Sequence, residues 1–309
     1  MTYNQLWKRL TAIYNEREAQ AIVRTVLDAL FGMSLTDICL GKVTQLSADD
    51  TTRLEKIMQR LEKSEPVQYV LGAEWFAGRL FDVAPGVLIP RPETEDLVKW
   101  TCDEAKEKEK EDNSKEERGK EEKEVPKKGE EAPHPSILDI GTGSGCIAIT
   151  VALALPQARV TAWDISTDAL AIAAGNAHRL GASVRFEHQD ALSAPDDEER
   201  WDVIVSNPPY ICDRERADMS DNVLSYEPEL ALFVPDSDPL LFYRAIARYA
   251  SKALKPGGRL LFETNTAYAH EVAQAMANEG FTAIEVRNDC FGKPRMVKGA
   301  FFKGKKVKR

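Results

Sequence analysis

Apolar side chains in the amino-terminal stretch recur three and four positions apart, which is the spacing of amphipathic helices. Gly32 predicts the end of the second helix, and Ser47 predicts the start of a later one because its hydroxyl can cap a helix. We therefore expect a helical domain over residues 1–66, which either docks a partner or stabilises the chain. Its expected inward positions are Leu6, Leu10, Ile13, Ile22, Val26, Leu30, Leu54, Ile57, Met58 and Leu61.

The pattern changes over residues 67–91 to short apolar runs broken by glycine, which are typical of strands joined by tight turns. The sequence predicts a β-hairpin linker here. The expected strand segments are residues 69–72, 75–76, 80–83 and 87–89.

A larger domain is expected over residues 92–309, opening with a helix that has Pro92 in its first turn and continues through Trp100. Between residues 103 and 132 a Lys/Glu-rich tract contains almost no apolar side chains. Such a tract cannot bury a face, so we expect a mobile, solvated insertion, either as a charged helix extension or as disorder.

Short apolar runs then alternate with helical patterns, as they do in βαβ units. This alternation predicts a doubly wound α/β domain. The expected strands are residues 137–140, 160–163, 184–186, 201–205, 260–262, 284–287 and 297–302, and the expected helices are residues 146–155, 167–180, 240–254 and 268–280.

A proline-rich loop follows the strand at residues 201–205, at the carboxyl end where open α/β sheets bind ligands. Two successive prolines stiffen the loop and remove two N–H donors, so backbone carbonyls remain as acceptors. The Asn207 side-chain oxygen and the Pro208 carbonyl can accept both hydrogens of one planar NH2 group, an amide or a base amine, while Tyr210 lies against its face. The alternative is a plain turn. The predicted catalytic residues are Asn207, Pro208, Pro209 and Tyr210.

A glycine-rich loop follows the strand at residues 137–140, and its glycines alternate as Gly-x-Gly-x-Gly. A dinucleotide loop has the spacing Gly-x-Gly-x-x-Gly, so the pattern favours S-adenosylmethionine as the ligand. Asp164 ends the next strand, where its carboxylate can accept the ribose hydroxyls, and Asp190 ends the following one, where it can accept the adenine amine. The predicted donor-binding residues are Gly141, Thr142, Gly143, Ser144, Gly145, Asp164, Asp190, Ala191 and Asn207.

Charge and cysteine content restrict the partners. A formal net charge of −9 repels a phosphate backbone, so direct nucleic-acid binding is not expected, and the basic residues 303–309 are expected to be a frayed tail. Five scattered cysteines without a Cys-x-x-Cys pair predict neither a disulfide framework nor a metal site. Cys212 is expected to be a buried filler, and His188 a structural histidine.

The amino terminus has no apolar signal core, and the longest uncharged run is too short to span a bilayer. We therefore expect a cytoplasmic protein without a membrane partner.

Four stretches together resemble the PrmC/HemK family of release-factor glutamine methyltransferases, over nearly the whole chain. They are Glu-Pro-Val-Gln-Tyr-Val-Leu-Gly at 65–72, Leu-Ile-Pro-Arg-Pro-Glu-Thr-Glu at 88–95, Leu-Asp-Ile-Gly-Thr-Gly-Ser-Gly at 138–145 and Ser-Asn-Pro-Pro-Tyr-Ile at 206–211. The second is the most diagnostic. Residues 226–228, Asp289, Gly292, Arg295 and Gly299 also look like family positions, whereas Asn265 and the charged insertion depart from the family pattern.

The resemblance implies a class I S-adenosylmethionine-dependent methyltransferase with a Rossmann-like seven-stranded sheet. It implies methylation of the side-chain amide of the glutamine in the Gly-Gly-Gln motif of class I peptide release factors, with the amino-terminal domain docking the factor. We expect a monomer. Two alternatives remain open: an adenine-N6 or guanine-N2 nucleic-acid methyltransferase, which shares Asn-Pro-Pro-Tyr, and a donor-binding module without catalysis, against which the intact Asn207 argues.

Overall fold

The computed structural model describes residues 1–119 and 134–302, and for residues 113–119 it describes the backbone alone. The rest of the predicted insertion, residues 120–133, and the predicted basic tail, residues 303–309, lie outside the described residues. Within the described ranges, no helix is long and apolar enough to cross a membrane.

A bundle of helices forms the amino-terminal part of the chain, as the apolar spacing predicts. Its second helix ends at Gly32, whose φ of 62° is a left-handed conformation that glycine tolerates. The Ser47 hydroxyl accepts the Asp50 backbone N–H at 3.0 Å and caps the last helix. Both predicted helix signals are confirmed. The helices are α1 (Tyr3–Arg9), α2 (Glu16–Phe31), α3 (Leu35–Cys39) and α4 (Ala48–Leu61).

The predicted inward positions of the bundle are confirmed, with one exception. Ile13 is 39% exposed because α1 ends at Arg9, so the helical spacing no longer applies at residue 13. The prediction for Ile13 is therefore wrong. The buried positions are Leu6, Leu10, Val26, Leu54, Ile57, Met58 and Leu61, and Ile22 and Leu30 are partly buried against the same core.

The linker contains one helix, α5 (Val67–Leu71), followed by the hairpin strands β1 (Ala73–Phe76) and β2 (Arg79–Asp82). The hairpin is confirmed, but the strands predicted at residues 69–72 and 87–89 are wrong. A short apolar run does not distinguish a strand from a buried helix. Here tertiary contacts favour the helix, because Val70 packs into the bundle core while Tyr69 donates its hydroxyl to the Val87 carbonyl at 2.5 Å.

Seven strands form the main sheet, and this number and the α/β class are confirmed. The strands after the hairpin are β3 (Ser136–Ile140), β4 (Arg159–Asp164), β5 (Val184–His188), β6 (Trp201–Ser206), β7 (Ile211–Cys212), β8 (Phe233–Val234), β9 (Leu254–Glu263), β10 (Phe281–Asn288) and β11 (Pro294–Phe301). The order in the main sheet is β10-β11-β9-β6-β3-β4-β5, parallel throughout except that β11 is antiparallel to β9 and to β10. The chain runs outward from β3 to β5 and returns to β6 on the other side, so a binding crevice is expected where β3 and β6 end.

Helices cover both faces of this sheet. Successive side chains of β3 point to opposite faces, so Ile137 packs in one core with Leu97 while Leu138 packs in another with Tyr243. The helix predicted from Pro92 starts at Thr94, and Pro92 lies in the turn before it. The remaining helices are α6 (Thr94–Gly119), α7 (Cys146–Ala154), α8 (Thr167–Leu180), α9 (Asp221–Tyr226), α10 (Glu229–Leu232), α11 (Leu241–Ala253) and α12 (Ala269–Asn278).

The charged tract is not wholly solvated, because α6 continues into it and buries two of its charged side chains. Glu104 is 4% exposed and Lys108 is 2% exposed. The Glu104 carboxylate accepts from Arg259 Nε at 3.1 Å and from Lys298 Nζ at 2.5 Å. The predicted solvation is therefore wrong for this part. Arg259 on β9 and Lys298 on β11 compensate the burial of Glu104, and composition does not reveal these distant partners, whereas Lys108 pairs with Asp112 on the same helix.

Candidate active site

A cavity of about 310 Å³ opens at the carboxyl ends of β3, β4 and β6, where the strand order predicts a binding crevice. Of the residues predicted from the sequence, the cavity lining includes Gly141, Gly143, Asp164, Asp190, Ala191, Asn207, Pro208 and Pro209. Thr142, Ser144, Gly145 and Tyr210 do not belong to this lining.

The glycine-rich loop after β3 is held on β4 while its backbone faces the cavity. The N–H groups of Gly141 and Thr142 both donate to the Trp163 carbonyl at 2.9 Å. Gly141 and Gly143 have φ values of 76° and 54°, in the left-handed region that favours glycine. The loop can therefore approach a ligand closely with backbone atoms.

Gly145 serves helix packing. A Cβ atom at this position would lie 2.7 Å from Ile149 Cδ1 and 3.1 Å from Ala173 Cβ. Glycine therefore lets α7 and α8 approach each other behind the loop.

Asp139 supports the same loop from below and is completely buried. Its Oδ2 accepts the Thr142 hydroxyl at 2.6 Å and the Ala148 N–H at 3.2 Å, while Oδ1 has no partner among the described residues. Burial raises the pKa of Asp139 to about 7, and the two hydrogen bonds offset only part of this effect.

Asp164 lines the cavity at the end of β4 and is held by two backbone N–H groups. Its Oδ1 accepts from Ser166 N and its Oδ2 from Gly143 N, both at 2.9 Å. Each carboxylate oxygen has a second lone pair, so Asp164 is fixed in place and can still accept hydroxyl groups from a ligand.

Asp190 lies just after β5 and caps the short helical turn at Ala191–Ser193. Its Oδ1 accepts from Leu192 N at 2.8 Å, and its Oδ2 accepts from the Ser193 hydroxyl at 3.2 Å. Asp190 therefore both lines the cavity and caps this helical turn. The His188 ring lies 2.8 Å from the Ile165 carbonyl, in agreement with a structural role.

The proline-rich loop after β6 contributes Asn207, Pro208 and Pro209 to the cavity, but Tyr210 lies differently. The Tyr210 ring packs against the core on the α11 side, and its hydroxyl lies 3.4 Å from Glu263 Oε1. The predicted contact between Tyr210 and a substrate amide stays a prediction. Cys212 beyond it is fully buried, as expected for a filler.

Two buried residues behind Asn207 were not predicted as part of the site. The Thr94 hydroxyl donates to Glu263 Oε2 at 2.6 Å and lies 3.4 Å from Asn207 Nδ2. Glu263 is 1% exposed at the end of β9, and Thr94 is 2% exposed at the start of α6. The sequence does contain one indication that Glu263 belongs to the site: it is a carboxylate at the end of an apolar strand.

Burial raises the pKa of Glu263 to about 7, although the Thr94 hydrogen bond and the Arg295 charge both act to lower it. The folded state therefore holds the proton more tightly than the unfolded chain, and the stabilising effect of Glu263 is lost as pH rises from about 4.5 to 7.

We expect the wild type to lose roughly 3 kcal/mol of unfolding free energy relative to Glu263→Gln over this range. Urea denaturation at several pH values measures the difference in unfolding free energy between the two proteins. Asp139, whose pKa is also raised to about 7, is present in both, so its contribution cancels. Parallel pH profiles for the two proteins would contradict the raised pKa.

A buried carboxylate joins the linker to the segment after the proline-rich loop. Glu227, 4% exposed, accepts from the Ile89 N–H at 3.2 Å and from Arg91 Nη2 at 2.6 Å. This contact lies next to Val87 and Leu88, which line the same cavity as Pro208. Two residues of the Arg-Pro-Glu-Thr-Glu stretch thus contact residues at the cavity wall: Arg91 binds Glu227, and Thr94 lies within hydrogen-bond distance of Asn207.

Comparison with known families gives matches in two separate stretches of the chain. The PrmC N-terminal domain model matches residues 3–72, and the methyltransferase small domain model matches residues 126–225. Among curated proteins, a release factor glutamine methyltransferase from Bacteroides thetaiotaomicron is 44% identical over 93% of this chain and 95% of its own length. Another, from Flavobacterium psychrophilum, is 37% identical over 96% of this chain and 97% of its own length.

Identity of 37% to 44% extends over more than nine tenths of this chain and of each of these relatives. The chain belongs to the family of release factor glutamine methyltransferases.

Proposed function

We propose that this protein transfers a methyl group from S-adenosylmethionine to the side-chain amide nitrogen of the glutamine in the Gly-Gly-Gln motif of class I peptide release factors. The observation that carries the proposal is the presence of Asn207 and Pro208 in the same cavity lining as Gly141 and Gly143. One wall thus offers acceptors for an amide, and the other offers a loop suited to a donor.

The residues present fit S-adenosylmethionine. Asp164, whose oxygens each accept one backbone N–H, would accept the ribose hydroxyls, and Asp190 after the next strand would accept the adenine amine. Ile165 and Leu192 add apolar side chains that are 43% and 46% exposed and that line the cavity, as a flat base requires. When bound, the donor supplies an activated methyl group on a positively charged sulfur.

The task left to the protein is positioning. An amide nitrogen is a weak nucleophile because its lone pair is delocalised into the carbonyl group. Asn207 Oδ1 and the Pro208 carbonyl would accept the two amide hydrogens and so fix the direction of the nitrogen. Orientation of this kind is worth about 7–11 kcal/mol at best, and the product proton can pass to water without a strong base.

The bundle over residues 1–66 is the expected docking site for the release factor. It contacts the methyltransferase part through the Tyr226 hydroxyl, which donates to the Lys63 carbonyl at 2.7 Å. The next residue, Glu227, holds the cavity wall through Ile89 and Arg91. A factor bound on the bundle would therefore be held near the cavity. The monomeric state and the cytoplasmic location stay predictions.

Asp164→Ala is expected to weaken binding of S-adenosylmethionine by about 1.5–3 kcal/mol, because the ribose hydroxyls lose a charged acceptor. Isothermal titration calorimetry of the folded variant measures the change. Asp168→Ala is a nearby control on α8, in its first turn, outside the cavity lining. Unchanged donor affinity in Asp164→Ala would show that the ribose binds elsewhere.

Incubation with radiolabelled donor and either release factor, RNA or DNA tests the proposed substrate class. Label is expected in the release factor alone. Label in nucleic acid alone would overturn the proposal in favour of an adenine-N6 or guanine-N2 methyltransferase. Donor binding without transfer to any acceptor would indicate a donor-binding module.

A further inference from the structure

A buried hydrogen-bond chain leads from the cavity wall into the core. It starts at Asn207 Nδ2, passes through Thr94 Oγ1 at 3.4 Å and reaches Glu263 Oε2 after a further 2.6 Å. The other carboxylate oxygen of Glu263 lies 3.4 Å from the Tyr210 hydroxyl. Of these residues Asn207 lines the cavity, whereas Thr94 and Glu263 lie behind it.

The chemistry of these groups gives the chain a direction. At a pH above its pKa of about 7, Glu263 is ionised. An ionised carboxylate can only accept hydrogen bonds, so Thr94 and Tyr210 then both donate to Glu263. Thr94 has one hydroxyl hydrogen, and the short contact to Glu263 uses it. The Thr94 oxygen can then only accept from Asn207, and the group facing it must be the NH2 of the Asn207 amide.

The reverse orientation of the amide would defeat the site. If Asn207 turned its NH2 group into the cavity, two donors would face the two hydrogens of a substrate amide. Its Oδ1 would then face the Thr94 oxygen, whose hydrogen is already committed to Glu263. Both ends of the Asn207 amide would be mismatched, and each mismatch costs on the order of a lost hydrogen bond.

We propose that Thr94 and Glu263 are positioning residues that fix the orientation of the Asn207 amide, so that Oδ1 faces the cavity as an acceptor. The inference rests on the proposed function for its catalytic consequence. The orientation itself is a property of the protein without substrate. Neither Thr94 nor Glu263 touches the substrate amide in this scheme.

Two variants of Thr94 separate positioning from packing. Thr94→Val keeps the shape and removes the hydroxyl, whereas Thr94→Ser keeps the hydroxyl and removes a methyl group. In assays at about pH 8.5, where Glu263 is ionised, we expect Thr94→Val to lower kcat roughly tenfold, with KM for the donor little changed, and Thr94→Ser to restore most of the rate. Equal loss in both variants, or a loss confined to KM for the donor, would overturn the inference. If Thr94→Val does not fold, Thr94→Ala removes the same hydroxyl and carries the same expectation.

A second readout does not depend on activity. In nitrogen-15 NMR spectra, the Asn207 side-chain NH2 signal, assigned from its absence in Asn207→Asp, should show protection from solvent exchange in the wild type and in Thr94→Ser. The protection should disappear in Thr94→Val. Rapid exchange in the wild type would overturn the inference. Protection lost in Thr94→Val together with absence of transfer to release factor by the wild type would contradict the proposed function alone.

Discussion

Asn207→Ala is expected to lower kcat for methylation of a release factor by at least ~100-fold, because the substrate amide loses the acceptor that directs its nitrogen. The Pro208 carbonyl alone would leave one amide hydrogen unsatisfied and the group free to turn. Affinity for S-adenosylmethionine should fall much less, since the glycine-rich loop and Asp164 remain. Single-turnover kinetics and donor titration measure the two effects separately.

Two further variants sharpen this test. Asn207→Asp keeps the size and an acceptor oxygen but places a negative charge near the donor sulfur and removes the NH2 group that faces Thr94. It should also transfer slowly. Asn278→Ala, on an exposed position of α12, is a control that should behave as wild type. Near-normal transfer by Asn207→Ala would mean that the proline-rich loop is only a turn.

Glu104→Ala is expected to destabilise the fold by about 3–5 kcal/mol, because the buried Arg259 and the partly buried Lys298 lose the carboxylate that they share. Arg259 is 7% exposed and Lys298 approaches the same carboxylate. Arg259 keeps Glu111 at 3.0 Å and Lys298 keeps Glu285 at 3.3 Å, so neither cation is left entirely without an acidic partner. We therefore expect a loss at the lower end of this range. Urea denaturation at neutral pH measures the loss.

Glu107→Ala is the matched control for this experiment. Glu107 lies on the same helix but is exposed, so its replacement should change the unfolding free energy by no more than about 0.5 kcal/mol. A loss below about 1 kcal/mol for Glu104→Ala would show that the ion pairs of Glu104 contribute little to the free energy of unfolding. The charged tract would then be as independent of the core as its composition suggests.

Local signals account for the parts of the fold that could be predicted. The end of α2 at Gly32 and the start of α4 after Ser47 depend on neighbouring residues alone. The strands and helices of the α/β part likewise follow from short apolar runs and helical spacing. Strand ends at one edge of the sheet could therefore be predicted to bring Asp164 and Asn207 to one cavity.

Contacts between distant parts of the chain account for what could not be predicted. Thr94 and Glu263 are 169 residues apart, and Asn207 and Thr94 are 113 apart, yet they form one hydrogen-bond chain. The spacing of residues along the sequence does not indicate which distant side chains will contact each other. The same reason applies to α5, whose helical state depends on packing in the bundle, and to Glu104, whose burial depends on a strand far along the chain.

Tandem mass spectrometry of a release factor treated with the protein and S-adenosylmethionine tests the proposed methyl transfer at the level of the modified atom. We expect one added methyl group on the side-chain amide of the glutamine in the Gly-Gly-Gln motif, and none after treatment with Asn207→Ala. A methyl group on any other residue, or an equal yield with Asn207→Ala, would contradict the proposed reaction.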